Sequence, residues 1–328
     1  MKKLYTLSLL LVGLLSFGQA QDSFNGTGAL NANGWMTHSG ATPGQLSIAP
    51  GSLTYPGMTT SGNRAVLVAG NTEDVNLASA APITGTAYYS AIVNVPNTTG
   101  LNINSTVGDY FLTMGATAGA GVTAFSGRLY VRLGSVENTF NLGILNNSGG
   151  TATPSFVATD FPVGTPVFVV VKNDLASNTS SLFINPTIGG TEGASSANNN
   201  TGTTAAPTQI SSLAIRQGGN ATTGTGNVEL DEVRLGSTWE FVTSAALSVT
   251  KNSIAGLSIY PNPAVNGTLF IDTAANSTKS VVIYDIVGKQ VLKTNTTNMV
   301  NVSNLTGGVY VVKITEDGKT ATRKLVIK

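Results

Sequence analysis

Apolar and polar positions alternate along much of this chain, and the alternation has a period of two. In Arg128-Leu129-Tyr130-Val131-Arg132-Leu133 the aliphatic residues fall on one side and the arginines with the tyrosine on the other, as successive side chains of a strand must. The run 167–171 is apolar without interruption, which predicts a strand covered on both faces. It stops at Lys172-Asn173-Asp174. Ser181-Leu182-Phe183-Ile184 returns after a polar turn and is ended by Asn185-Pro186, because proline gives no N–H to a ladder. Residues 210–216 and 227–235 supply two more strands. The stretch 189–208 (GGTEGASSANNNTGTTAAPT) holds few apolar residues and is expected to be a mobile loop. There is no heptad, no amphipathic helix of useful length and no solenoid-type period. An all-β fold of two antiparallel sheets follows.

After residue 256 the pattern resumes in a shorter form. Val281, Ile283 and Tyr284 precede Gly288, Val291 follows it, and Val309, Val311 and Val312 precede Asp317-Gly318, a dipeptide suited to a tight hairpin turn. Tyr260-Pro261-Asn262-Pro263, then Tyr284-Asp285-Ile286-Val287-Gly288-Lys289, then Leu305-Thr306-Gly307-Gly308-Val309-Tyr310 and a basic Arg323-Lys324 resemble the type A C-terminal sorting domain of the Bacteroidetes type IX secretion system. The resemblance covers 257–328 in the right order. It implies a small immunoglobulin-like β-sandwich, passage across the outer membrane, and the type IX machinery as partner. Its sorting signal falls on Tyr260, Pro261, Asn262, Pro263, Asp285, Gly288, Lys289, Gly308, Tyr310 and Lys324. It implies nothing about the activity of the cargo.

At the other end, Met1-Lys2-Lys3 is cationic, residues 4–17 are almost wholly apolar, and Gly18-Gln19-Ala20 offers small residues to a signal peptidase. The apolar run is short of the ~20 residues a bilayer requires, so a cleavable signal peptide is expected over 1–20 and no transmembrane segment. The expected order is then signal peptide 1–20, a β-sandwich cargo over 21–242, linker 243–256 and sorting domain 257–328. The chain has no Cys, so no disulfide supports the fold and stability rests on buried apolar area. Charge is sparse and unevenly placed. Residues 21–245 carry six Lys/Arg against twelve Asp/Glu, a balance of −6; residues 246–328 carry nine against four, a balance of +5. Neither part has a basic stripe with interleaved aromatics, so nucleic acid is not an expected partner.

In the cargo, Asp22-Ser23-Phe24 with Gly34-Trp35, residues 50–57 (PGSLTYPG), the strand pair at 167–172 and 182–186, and Leu230-Asp231-Glu232-Val233-Arg234-Leu235-Gly236 resemble concanavalin A-like, laminin-G-like jelly rolls of secreted bacterial proteins. That resemblance implies a jelly-roll sandwich in a family of glycan binders, adhesion modules and glycosidases. Such jelly rolls often bind Ca2+, and Glu73-Asp74 and Asp231-Glu232 could offer oxygens, but two short acidic pairs make no loop pattern.

Glycosidases of this fold line carboxylates along one strand face. Glu229 and Asp231 stand about 6.6 Å apart along a strand, and a retaining pair needs roughly 5–5.5 Å between carboxyls. The next position holds Val233, a bulge would bring Arg234 there, and Glu232 is expected on the opposite face, so no catalytic residue is assigned. His38 is the only histidine and is expected in a surface loop. No nucleophile elbow surrounds any serine, and Gly224-Thr225-Gly226 reads as a turn. Trp35 and Trp239 are expected in the core. Tyr55, Tyr88, Tyr89 and Tyr130 are candidates for stacking on sugar rings, and Tyr130, flanked by Arg128 and Arg132, is the first choice. These residues predict a non-catalytic module that binds carbohydrate or another surface component. The alternatives are a structural or matrix protein without a small ligand, and a glycoside hydrolase or lyase.

Overall fold

The structure, a computed structural model, describes residues 19–40, 44–245, 254, 256–316 and 319–328. Most of the expected signal peptide, most of the expected linker and the Asp317-Gly318 turn lie outside the described residues. Contacts divide the chain into two units, Met1–Ser248 and Val249–Lys328.

The first unit is an antiparallel jelly-roll sandwich. One sheet runs in the order Ala197–Asn199, Thr179–Ile184, Val167–Asp174, Thr86–Asn94, Val228–Gly236, Arg64–Leu67, Ser47–Ala49 and Gly28–Ala29, with Ala20–Asp22 pairing the far half of Val228–Gly236. The other runs Ser155–Phe156, Thr139–Leu145, Ser126–Leu133, Asp109–Gly115, Ile210–Arg216, Asp74–Ile83 and Met36–Ser39, with Phe161–Pro162 also on Thr139–Leu145. Alternate residues of the two inner faces fill one continuous core, to which Leu129, Val131, Leu142, Val169, Leu213 and Leu230 belong.

The unbroken apolar run in Val167–Asp174 has its explanation in a second cluster on the outer face of the first sheet. Val167, Val169 and Val171 point into the main core, while Phe168 and Val170 pack outward against Leu53, Tyr88, Phe183 and Trp239. The short helix Trp239–Thr243, capped by the Thr238 hydroxyl, which accepts from Phe241 N, helps to close this cover. The Trp239 ring meets Phe183 edge-on at 4.9 Å and its Nε1–H donates to the Gly190 carbonyl at 2.8 Å. Trp35 is also buried, donating to Asp22 Oδ2 at 2.8 Å.

The stretch 189–208 departs from the expected loop. Ala197–Asn199 pairs with Thr179–Ile184, and Asn199 is buried. Its amide accepts from Asn146 N at 3.2 Å and donates to the Thr153 carbonyl at 2.8 Å, while Asn146 Oδ1 accepts from Gly202 N at 2.9 Å. Asn amides, each with two donors and an acceptor, tie this segment down where apolar side chains are scarce.

In the second unit, a sheet of Ser258–Tyr260, Thr268–Asp272 and Met299–Asn301 accompanies one of Gln290–Thr296, Lys279–Tyr284, Gly308–Glu316 and Lys319–Ile327. Leu269, Val281, Ile283, Tyr310, Val312 and Ile314 belong to its core. Val291, Val309 and Val311 point outward instead. The motif residues set turns and edges. Asn262 grips the last strand, its Nδ2 donating to the Lys324 carbonyl at 2.8 Å and its Oδ1 accepting from Val326 N at 2.9 Å. Asp285 Oδ1 accepts from the backbones of Val287 and Lys289 across a turn in which Gly288 adopts φ 84°, the left-handed region that glycine enters freely. Tyr310 donates its hydroxyl to the Thr306 carbonyl at 2.7 Å. Within this core Lys279, fully buried, lies 3.2 Å from buried Glu316.

Candidate functional site: an arginine and tyrosine face

The outer face of the second sheet carries the residues that period-two patterning singled out. In Ser126–Leu133, Leu129 and Val131 enter the core, which turns Arg128, Tyr130 and Arg132 outward. The neighbouring strand Asp109–Gly115 sets Tyr110 opposite Tyr130, with ring centroids 5.7 Å apart. From the next strand, Ile210–Arg216, the Arg216 guanidinium reaches 4.4 Å from the centre of the Tyr110 ring, and Arg128 lies 5.2 Å from that same ring. Arg132 stacks on Phe156 at 3.6 Å. Phe156 has room there because Gly143 faces it: a Cβ at that position would come within 2.8 Å of the ring. Three guanidiniums and three rings therefore share one surface, a combination favoured by the negative faces of aromatic rings.

The three cations are partnered unequally. Arg216 donates to Asp109 Oδ1 at 2.5 Å and to the Tyr110 carbonyl at 3.1 Å. Burial works against its charge, but the Asp109 carboxylate raises its pKa above the ordinary arginine value. Arg128 donates to the Phe125 carbonyl at 3.3 Å and Arg132 to the Thr106 carbonyl at 3.0 Å, and among the described residues neither forms an ion pair, the Asp160 carboxylate acting on Arg132 only from a distance. Their Nε atoms are buried without a hydrogen-bond partner, as is Oδ1 of Asn141, the register partner of Arg132. Burial raises the Tyr130 pKa, more than the adjacent Arg128 lowers it. Tyr130 is only 8% exposed and forms the floor of the face, while Tyr110 is more open.

Period-two reading missed Tyr110, Arg216, Asp109 and Phe156. The register of Asp109–Gly115 shifts twice, between Tyr110 and Leu112 and again before Met114, so alternation does not place Tyr110. Arg216 was legible, since Leu213 and Ile215 point inward and their neighbour must point out.

The remaining candidates serve the scaffold. Glu229 accepts from Arg64 Nε and Asn94 Nδ2, both at 2.7 Å. Asp231 accepts from Ser52 Oγ at 2.5 Å and Leu53 N at 2.8 Å, and burial pushes its pKa up to about 7. Glu232 does not take the opposite face as expected. A bulge after Asp231, with Glu232 at φ 48°, leaves Leu230 and Val233 in the core and gives both intervening acids to the loop at 50–61. Glu232 also lies 3.5 Å from Arg234.

The Glu73 carboxylate is fully engaged by Asn31, Thr37 and Leu46 N, and burial raises its neighbour Asp74 to about 6. Among the described residues no three His, Asp or Glu side chains gather as metal ligands. His38 lies in the strand Met36–Ser39 rather than a loop, 5.8 Å from Phe125 and 3.3 Å from Asn76 Nδ2, and burial lowers its pKa. Tyr55, Tyr88 and Tyr89 pack in the two hydrophobic clusters.

The class of protein is thus a jelly-roll sandwich followed by a small β-sandwich tail. Residues 258–328 match the secretion system C-terminal sorting domain, so the tail is a type IX sorting domain and marks the chain for export. Over 247 residues the chain is 27% identical to the ulvan lyase NLR42 of Nonlabens ulvanivorans, which accounts for 68% of this chain and 39% of that protein's length. A sialidase overlaps 74% of this chain and 21% of its own at a TM-score of 0.40 and 12% identity. The potassium-bound carbohydrate recognition domain of Emp46p overlaps 66% and 95% at 0.34 and 9%. The Ca2+/Man-bound VIP36 exoplasmic/lumenal domain overlaps 62% and 82% at 0.34 and 9%. Among the described residues no helix is long and apolar enough to cross a membrane.

Proposed function

We propose that the type IX tail delivers a non-catalytic module whose arginine and tyrosine face binds a glycan outside the cell or at its surface. The observation that carries this reading is the Tyr110 ring, flanked by Arg128 and Arg216 and backed by Tyr130. A half-buried ring with guanidiniums over it suits a sugar whose C–H groups meet the exposed part of the ring and whose hydroxyls accept from the guanidiniums. Affinity electrophoresis of the exported protein through polysaccharide gels tests it. Retardation that falls about tenfold in Tyr110→Ala, with an unchanged circular dichroism spectrum, is the expected result. Equal mobility of both proteins in every gel counts against the reading.

A second reading is a lyase, favoured by the ulvan lyase relative, of whose length this chain spans 39%. Elimination needs a base to take a proton from the sugar ring. Burial raises the Tyr130 pKa and so makes its phenol harder to deprotonate into a base, and each acid of the Val228–Gly236 strand bonds to scaffold partners. Incubation with ulvan and detection of unsaturated, ultraviolet-absorbing ends decides the matter. Turnover by the wild type that disappears in Tyr130→Phe would replace the non-catalytic reading.

A further inference from the structure

We infer that the glycan for this face is an acidic polysaccharide, held through repeated carboxylate or sulfate groups by Arg128, Arg132 and Arg216. The inference rests on the glycan-binding reading and narrows it. Three observations carry it. First, residues 21–245 contain only six Lys/Arg, and three of them converge on this one surface of a unit whose balance is −6. Half of the unit's basic side chains thus stand on one face, and among the described residues only Arg216 of the three forms an ion pair.

Second, Arg128 and Arg216 flank the same ring, at 5.2 and 4.4 Å from its centre, so two like charges lie within about 10 Å of each other. Asp109 relieves this repulsion on the Arg216 side alone. Among the described residues Arg128 and Arg132 form no ion pair, although the Asp160 carboxylate acts on Arg132 from a distance, and each guanidinium gives one terminal nitrogen to a carbonyl, which leaves the other for a carboxylate or a sulfate. Asn141, 3% exposed, sits opposite Arg132 and supports the face from below, its Nδ2 donating to Asp160 Oδ1 at 2.8 Å.

Third, the spacing selects a polymer. Arg128 and Arg132 are four residues apart on one strand, about 13 Å, and Arg216 lies two strands from Arg128, about 10 Å. A single small anion cannot span these positions, whereas a chain with regularly placed charges can meet two or three of them together. The acidic remainder of the unit repels a polyanion and so directs it to this face.

The test uses the full exported protein with four probes: dextran, dextran sulfate of matched length, alginate as a polyuronate, and free glucuronic acid. We expect dextran sulfate, alginate or both to bind, with affinity falling as NaCl is raised from 50 to 300 mM. Dextran and equimolar glucuronic acid should not compete. The double variant Arg128→Gln/Arg132→Gln should lose binding at least tenfold, while Asp109→Asn, by freeing Arg216, should strengthen it. A variant that merely damaged the fold would not strengthen binding, which keeps the result interpretable.

Because the tail is itself basic, Lys293→Gln/Lys313→Gln serves as its control and should leave binding unchanged. The relative strength of dextran sulfate and alginate tells sulfate from carboxylate recognition. Tyr110-dependent binding to neutral glycans with none to the polyanions overturns the acidic class and leaves glycan binding standing. Polyanion binding lost only in the Lys293/Lys313 variant also overturns it. Absence of binding to any polysaccharide, charged or neutral, removes both readings.

Discussion

Asp231 shows how a single buried carboxylate ties a loop to a sheet and makes stability depend on pH. Its carboxyl accepts from Ser52, Leu53 N and Glu232 N, yet burial raises its pKa from 3.8 to about 7. Asp74 is raised to about 6 for the same reason, against the pull of Arg216. In both cases the folded state holds a proton that the unfolded chain has released, so the stabilisation is complete below pH 4 and is lost as pH rises through 6 and 7. Asp160, Asp174 and Glu316 are depressed instead, burial being outweighed by hydrogen bonds, and their contribution is lost below pH 4. The melting temperature of the first unit is therefore expected to peak near pH 4–5 and to decline toward pH 8, with Asp231→Asn flattening most of that decline. A wild-type melting temperature that is level between pH 5 and 8 contradicts this account. Asp231, Glu232 and Asp74 stood out in the sequence, but their roles did not. The bulge at Glu232 depends on partners at residues 52, 53 and 61, about 170 positions away, and no local pattern carries that information. Tyr130 was legible because its strand is regular; Tyr110 was not, because its strand shifts register twice.

At the scale of elements, the apolar run in Val167–Asp174 announced that both faces of a strand were covered. It did not say by what. One cover is the opposing sheet, and the other is assembled from Leu53 and Met58 in one loop, Ile188 in another, and the helix Trp239–Thr243. Loops that lie flat on a sheet leave no periodic trace, so only the demand for a cover could be read. The reverse holds for 189–208, where poverty in apolar residues suggested motion and Asn hydrogen bonds supply the restraint. Trp239 tests the energetic weight of the outer cluster. It is 4% exposed, contacts Phe183 and Tyr88 through edge-on rings, and donates to Gly190. Trp239→Ala should cost about 3–5 kcal/mol, the range for deleting a buried large aromatic. Urea unfolding of the variant measures this. A loss under 1 kcal/mol means that the helix is an appendage and that the outer face of the sheet needs no cover.

At the scale of the whole molecule, the main core of the first unit and the core of the tail share no residue, which bears on how an exported carrier and its address relate. A tail that serves many cargoes must fold by its own contacts, and the ion pair of Lys279 and Glu316 lets this be measured. Lys279 Nζ donates to the carbonyls of Ser277 and Thr297 and lies 3.2 Å from Glu316, whose carboxylate also accepts from Thr273 and Ser277. Removing the cation alone leaves a buried carboxylate without its counter-charge, which costs about 3 kcal/mol or more, a large fraction of the stability of so small a unit. In scanning calorimetry the full chain should unfold in two transitions. Lys279→Met should lower one and leave the other in place, and Trp239→Ala should do the converse. Effects on separate cores add without coupling, so the double variant should show both shifts at their single-variant sizes. If either substitution moved both transitions together, the two units would stabilise each other and the tail could not be an independent address. If they move apart, loss of the tail should abolish export while leaving the arginine and tyrosine face folded.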